Sequence, residues 1–326
     1  MEKGGAIQSS ADRVQTRSQV VDIADWQLDE EFAIFPQGSK PKRAAFCPTP
    51  APFQFLIAGH RYLFKVSTGW RIFQHWSEII AFAIAEHCAI SAAPCFVAVD
   101  SRAGEVGVLV EFFYGHPSSP VVPRLVSGAD LLRRMFSDYE SDPDSYHTVN
   151  NILSICKVLD AADPEGAWGT LLAFDALIGN TDRHPENWGF LARRSENQEW
   201  KFELAPSFDH GTSLAYQIPD QSLAQEASDE RIAAYLGRGR HHARWDVGSH
   251  TERGHFELCR LFAESHSQAV PKMMSVLDFS MESVDNVLSW CTGFDLPAGR
   301  LINEHKDYLH RVIASRTAAL RAALGA

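Results

Sequence analysis

Residues 167–179 read AWGTLLAFDALIG, apolar on nearly every side of a helix: Trp168, Leu171, Leu172, Phe174, Leu177 and Ile178. A helix of that pattern must be surrounded by other elements. Gly179 suits the left-handed position just past a helix end. The chain then reverses character. NTDRHPENWGF, residues 180–190, sets Asp182, Arg183, His184, Glu186 and Asn187 within six positions. The pattern predicts a central buried helix that delivers a dense polar loop.

Elements on either side differ in kind. EEFAIFPQGSKPKRAAFC reads as strand, Gly/Pro-bearing loop and strand, and HRYLFKVS (60–67) as an alternating strand. QHWSEIIAFAIAEHCAI (74–90) has helical spacing, and PCFVAVD and GEVGVLVEFF read as two more strands. After the Pro/Ser-rich YGHPSSPVVP the segments GADLLRRMF and TVNNILSICKVL read as helices. Two short strands follow the polar loop, and the tail is helical. In the last helix Tyr308, Leu309, Val312, Ile313 and Leu320 form a stripe that serves plain core packing. The organisation predicted is a flexible N-terminus (1–19), a β-rich lobe (20–115) and a helical lobe (116–326). A cleft between lobes is where a small ligand sits.

Bulk properties narrow the function. At 326 residues the chain is long enough for two lobes with a sizeable core. A formal net charge of −11 makes it a poor general binder of DNA, RNA or anionic membrane. No run of about 18 apolar residues predicts a transmembrane helix, and the first residues have no signal-peptide core. Six scattered cysteines form no CxxC pair, which argues against zinc modules and disulfides and for a reducing compartment.

The chemistry lies in three oxygens. Asp182 and Asn187 are five apart, and Asp209 follows 22 residues later in LAPSFDHGTSL. Phosphoryl transfer needs a carboxylate at the attacking hydroxyl and hard oxygen ligands for Mg²⁺ on the phosphates. A cation is needed as well. Lys65 lies in the strand YLFKVS, and Glu78 follows 13 residues later on the next helix, the order in which a strand lysine is held by a helix glutamate. Read alone, each has a plainer role: Asp182 and Arg183 as a surface ion pair, Asn187 as a turn former, Lys65 and Glu78 as solvated residues.

The phrase LIGNTDRHPENWGFL … FELAPSFD resembles the HipA-like Ser/Thr kinases, including their short single-chain members. The DRHxxN order is also seen in phosphatidylinositol 3/4-kinases. The resemblance runs from about residue 33 to about 215 and is loose beyond. It implies an α+β, two-lobed protein-kinase-like fold and a Ser/Thr protein kinase using ATP and Mg²⁺. Asp182 would act on the acceptor hydroxyl, Asn187 and Asp209 would hold the metal, and Lys65 the phosphates. Gln37, Gly38, Ser39, Lys40 and Lys42 would cover the nucleotide. Glu111, Phe112 and Phe113 would form the adenine hinge, with His184, Glu186 and Phe208 bordering the nucleotide.

Further expectations come with the resemblance: a bacterial cytoplasmic protein, a protein substrate such as an aminoacyl-tRNA synthetase, and a helix-turn-helix antitoxin partner. A translocated effector stays open. Two departures matter. The namesake's regulatory serine stands three places before the loop glycine, where this chain has Phe35; Ser39 is the candidate for self-phosphorylation. The namesake's extra N-terminal subdomain has no counterpart in the few residues ahead of the loop, which leaves the antitoxin partnership open. A kinase for a small molecule or lipid, and a catalytically silent docking protein, are the alternatives. The basic stretch GRGRHHARW (237–245) reads either as a phosphate or substrate contact or as a solvated loop.

Overall fold

The computed structural model describes residues 13–30, 42–88, 90–119, 122–195, 197–246 and 252–325. The first lobe contains strands β1 (Val21–Asp22), β2 (Gln27–Leu28), β3 (Lys42–Phe46) and β4 (Arg61–Val66), helix α1 (Gln74–His87), then β5 (Cys95–Asp100) and β6 (Glu105–Glu111). They form one six-stranded sheet in the order β1-β5-β6-β4-β3-β2. The first strand and loop read from EEFAIFPQGSKPKR lie outside the described residues.

Alternation on β4 explains the sheet's two faces. Tyr62, Phe64 and Val66 point into one apolar cluster with Val21, Phe55, Phe96 and Leu109. The other face, with Lys65 and Leu63, is the side covered by α1. Register sets Lys65 directly opposite Lys42 of β3, so both lysines share a face.

The second lobe runs β7 (Arg124–Ser127), α2 (Gly128–Met135), α3 (Pro143–Tyr146), α4 (Val149–Val158), α5 (Pro164–Ile178), β8 (Gly189–Arg194) and β9 (Trp200–Leu204). It continues with α6 (Leu223–Glu226), α7 (Asp229–Arg238), α8 (His255–Ser265), α9 (Val270–Ser275), α10 (Met281–Cys291) and α11 (Asn303–Ala323). As the all-round apolar pattern predicts, α5 is central: Trp168, Phe174, Leu177 and Ile178 are fully buried. Strand β7 is a difference from the sequence reading. It pairs with β8, closing a three-stranded sheet β7-β8-β9.

The lobes are not separate bodies. Trp76, Ile79, Ile80 and Ile84 of α1 belong to the same apolar core as α5, α8 and α11. Trp76 Nε1 donates to the Gly299 carbonyl at 2.7 Å, and Ser77 Oγ to that of Ser213 at 2.8 Å. Residues 13–19, expected to be loose, are held as well. The Gln15 side chain exchanges two hydrogen bonds with the Val97 backbone, at 2.8 and 2.9 Å. Trp290 Nε1 donates to the Gln15 carbonyl at 3.0 Å. Among the described residues no helix is long and apolar enough to cross a membrane, and all six cysteines are buried free thiols.

Candidate active site

The polar loop is built from α5 outward. Gly179 takes φ 72° and closes the helix by donating to the Asp175 carbonyl at 2.8 Å. A Cβ there would stand 2.8 Å from the Arg316 guanidinium carbon, so glycine is required twice over. Asn180 then shapes the turn. Its Nδ2 donates to Asp175 Oδ1 at 3.0 Å, while its Oδ1 accepts from the Asp182 N–H at 3.1 Å and from Thr212 Oγ1 at 3.2 Å. Asn187 Nδ2 donates to the Asp182 carbonyl at 2.7 Å, which fixes the amide so that Oδ1 is the atom left for a cation.

Arg183 is not at the surface. It is fully buried and spans the site. Its Nε and Nη2 bind Asp175 Oδ2 and Oδ1 at 2.9 and 2.7 Å. Nη1 donates to the carbonyls of Asn187 at 2.6 Å and Phe208 at 2.8 Å, and Nη2 also reaches Ser207 Oγ at 3.0 Å. One guanidinium therefore holds the loop of Asp182 and Asn187 against the segment that carries Asp209. Burial alone would raise the Asp175 carboxyl; the charge and hydrogen bonds of Arg183, joined by His241, pull it well below the usual range.

Asp209 stands on left-handed backbone, φ 58°. Lys65 Nζ lies 3.0 Å from its Oδ1 and 2.7 Å from Glu78 Oε1. Glu78 Oε2 accepts the His210 N–H at 2.9 Å, so a helix residue of the first lobe grips the chain next to Asp209. Burial would lower the Lys65 ammonium, but the Asp209 and Glu78 carboxylates outweigh it and raise it above its ordinary value. Burial pushes the imidazole of His210 down to about 3; its Nε2 lies 2.7 Å from Ser207 Oγ. A carboxylate on Asp209 and a carboxamide oxygen on Asn187, beside a fixed cation, are a hard-oxygen set that suits Mg²⁺ and phosphate oxygens.

At the expected hinge, two of the three residues hold contacts within the first lobe. The Glu111 carboxylate turns inward to an ion pair with Arg13 and accepts from Tyr62 Oη at 2.9 Å. Its N–H donates to the Pro94 carbonyl at 2.9 Å. Phe112 donates to the Arg61 carbonyl at 3.2 Å and accepts from His60 Nε2 at 2.6 Å. These groups are committed to the sheet and its surroundings. Among the described residues Phe113 shows no such backbone tie; its ring meets that of Phe208, next to Asp209, at 5.4 Å. His184 Nδ1 accepts from the Glu186 N–H at 3.3 Å and so caps the turn Pro185–Asn187. Gln37, Gly38, Ser39 and Lys40 lie outside the described residues; Lys42 is on β3 facing the same side as Lys65.

The basic stretch is largely structural. His241 is buried with its Nε2 3.2 Å from Asp175 Oδ2, Arg240 donates to the Gly237 carbonyl at 2.7 Å, and the backbone of Arg244 pairs with His147 and Val149. Trp70 is 63% exposed, with the Arg71 guanidinium 4.6 Å from its ring centre and Tyr216 at 5.8 Å. Tyr216 is in turn close enough to Asp182 to feel its charge.

Asp175, Asn180, Ser207 and His210 were not singled out from the sequence. One signal was present: a carboxylate inside a helix apolar on every side must have a buried partner.

The fold is shared with solved kinases. The proinflammatory kinase CtkA of Helicobacter pylori superimposes with a TM-score of 0.70, covering 94% of this chain and 98% of that one at 17% identity. HipA of Shewanella oneidensis MR-1, solved with HipB and its operator DNA, gives 0.50, covering 90% and 66% at 15% identity. In sequence, the serine/threonine-protein kinase CtkA of Helicobacter pylori strain J99 is 47% identical over 53 residues, 16% of this chain and 15% of that protein's length. The profile of the HipA-like C-terminal domain matches residues 37–276, about three quarters of the chain, and the chain belongs to that family.

Proposed function

We propose that the chain is an ATP- and Mg²⁺-dependent Ser/Thr protein kinase. The observation that carries this reading is the convergence of Lys65, Glu78 and Asp209 in one hydrogen-bonded cluster, joined through Arg183 to the loop of Asp182 and Asn187. A surface turn would not be anchored by a fully buried guanidinium.

In this reading Lys65 trades its contact with Asp209 for the nucleotide phosphates while Glu78 keeps it in place. Asn187 Oδ1 and the Asp209 carboxylate would hold Mg²⁺, which when bound would supply charge neutralisation at the phosphates. Asp182 orients the acceptor hydroxyl and takes its proton as the oxygen attacks the γ-phosphorus and the bond to ADP breaks. Most of the rate comes from positioning and charge, since this transition state asks little covalent help. The adenine edge meets the backbone at Phe113 and Tyr114, beyond the groups committed at Glu111 and Phe112. Ser39 is the self-phosphorylation site of this reading. A translation enzyme as acceptor, an antitoxin partner and a bacterial cytoplasmic setting follow from family likeness.

The test is incubation of wild type and Asp182→Ala with Mg²⁺ and γ-labelled ATP, alone and with bacterial lysate. Label on protein, lost in the variant, is the expected result. ATP binding without label on protein would move the reading to a small-molecule kinase or a silent docking protein. No ATP binding would end it.

A further inference from the structure

One group of side chains outside the catalytic loops has the make-up of a metal site. A ring nitrogen of His60, a ring nitrogen of His116 and a carboxylate oxygen of Glu111 lie within 4.8 Å of one another. His60 directly precedes β4, Glu111 ends β6, and His116 lies in the segment that follows. The surroundings settle the His60 tautomer. A carbonyl only accepts, so His60 Nε2, 2.6 Å from the Phe112 carbonyl, carries the proton and donates it. The lone pair is therefore on Nδ1. That atom is buried, and among the described residues it has no hydrogen-bond partner. A histidine whose other N–H is held by a backbone carbonyl is the usual form of a metal ligand. Burial also lowers the His60 imidazole below its ordinary value, which keeps the lone pair available at neutral pH. His116 is half-buried, its ring stacked on that of His60 with centroids 4.3 Å apart. On Glu111, Oε2 accepts from Tyr62 Oη and Arg13, whereas Oε1 accepts one Arg13 N–H at 3.1 Å. A carboxylate has about four lone-pair sites, so Oε1 keeps one.

We propose that His60 Nδ1, a ring nitrogen of His116 and Glu111 Oε1 bind one divalent transition-metal ion of the zinc class. The donor set chooses the class. Two neutral imidazoles suit zinc, copper or nickel, whereas Mg²⁺ and Ca²⁺ take oxygen ligands. Arg13 already pairs with the Glu111 charge, which disfavours a cation held by charge alone. Metal–nitrogen bonds of about 2.0–2.1 Å bring tetrahedral ligands nearer to one another than the three stand here. His116 is the least buried of them and follows Gly115 at φ 73°, so it is the ligand that closes in. Loaded, the site ties the start of β4 to the segment that leaves β6 for the second lobe. The proposal does not depend on the kinase reading, whose metal ligands would be Asn187 and Asp209.

The test uses the full chain, stripped of metal by a chelator, with Co²⁺ as a spectroscopic stand-in for Zn²⁺. A visible d–d band should grow to saturation at about one cobalt per chain, bleach on addition of Zn²⁺ and ignore millimolar Mg²⁺. His116→Ala should weaken cobalt binding by at least about tenfold and leave the melting temperature of the metal-free chain unchanged. His60→Gln should do the same to cobalt binding; if that buried variant does not fold, the half-buried His116 position decides the matter. Zn²⁺ should raise the melting temperature of wild type and not of His116→Ala. The absence of a saturable band, a band that Mg²⁺ competes away, or one that His116→Ala retains at full affinity would overturn the proposal.

Discussion

Replacing Asp175 by Asn keeps the shape of the side chain and removes its charge. Arg183 stays fully buried, with a net positive charge facing carbonyls, a hydroxyl and an amide. Breaking a buried ion pair by removing one partner costs about 3–5 kcal/mol. With a melting entropy of about 2.1 cal/mol/K per residue, this chain of 326 residues has about 0.7 kcal/mol/K. The melting temperature should therefore fall by about 4–7 °C in calorimetry. The sign with pH is fixed as well. Asp175 is held below its ordinary value of 3.8, so its contribution is complete above that value and is lost only as pH falls through the depressed one. The deficit of Asp175→Asn should be flat from about pH 5 to pH 8. A double variant, Asp175→Leu with Arg183→Met, should recover stability over the single one. It should not recover phosphoryl transfer, because the carbonyls of Asn187 and Phe208 lose their common anchor. A drop below about 1 °C, the size of an ordinary surface change, would refute the argument that this pair holds the two loops.

Three other outcomes are expected. His75, His210 and His255 are pushed by burial from 6.5 to about 3, so the unfolded chain takes up protons first; acid should remove roughly 3 kcal/mol between pH 6.5 and 5.5, read by urea titration at each pH. Glu78→Gln should lower phosphate incorporation by about 100-fold, since Lys65 then has only Asp209 as carboxylate partner and is misplaced for the phosphates. On the proposed function, Trp70→Ala should raise KM for a protein acceptor about tenfold, with ATP affinity and melting temperature unchanged, because an exposed aromatic near Tyr216 contributes to recognition and little to the core.

The loop of Asp182 and Asn187 and the segment of Asp209 were legible because their order along the chain is the order in which the fold presents them. Asp182 and Asn187 share one turn, and Asp209 follows after the β8–β9 hairpin. Lys65 and Glu78 were legible for the same reason, a strand followed by the next helix. What escaped was non-local. Strand β7 is four residues long and exists because β8, some 60 residues later, pairs with it. The role of Arg183 depends on a helix residue before it and two carbonyls after it, so a sequence window shows only an arginine in a polar loop. The histidines and arginines of 237–245 read either as a phosphate or substrate contact or as a solvated loop. Burial of His241 on Asp175 is decided by how α8 and α5 pack.

Helix α1 has a consequence for control. Many two-lobed enzymes can be switched by swinging such a helix, and with it the glutamate, away from the lysine. Here Trp76, Ile79, Ile80 and Ile84 would all have to leave a core shared with the second lobe. Re-exposing those four side chains costs about 6–12 kcal/mol, as much as a whole domain's stability of about 5–15 kcal/mol. An outward-swung form would be rarer than one molecule in ten thousand. The Lys65–Glu78 pair is thus a lasting fixture of the fold, and swinging α1 outward is not a low-cost route to switching it off.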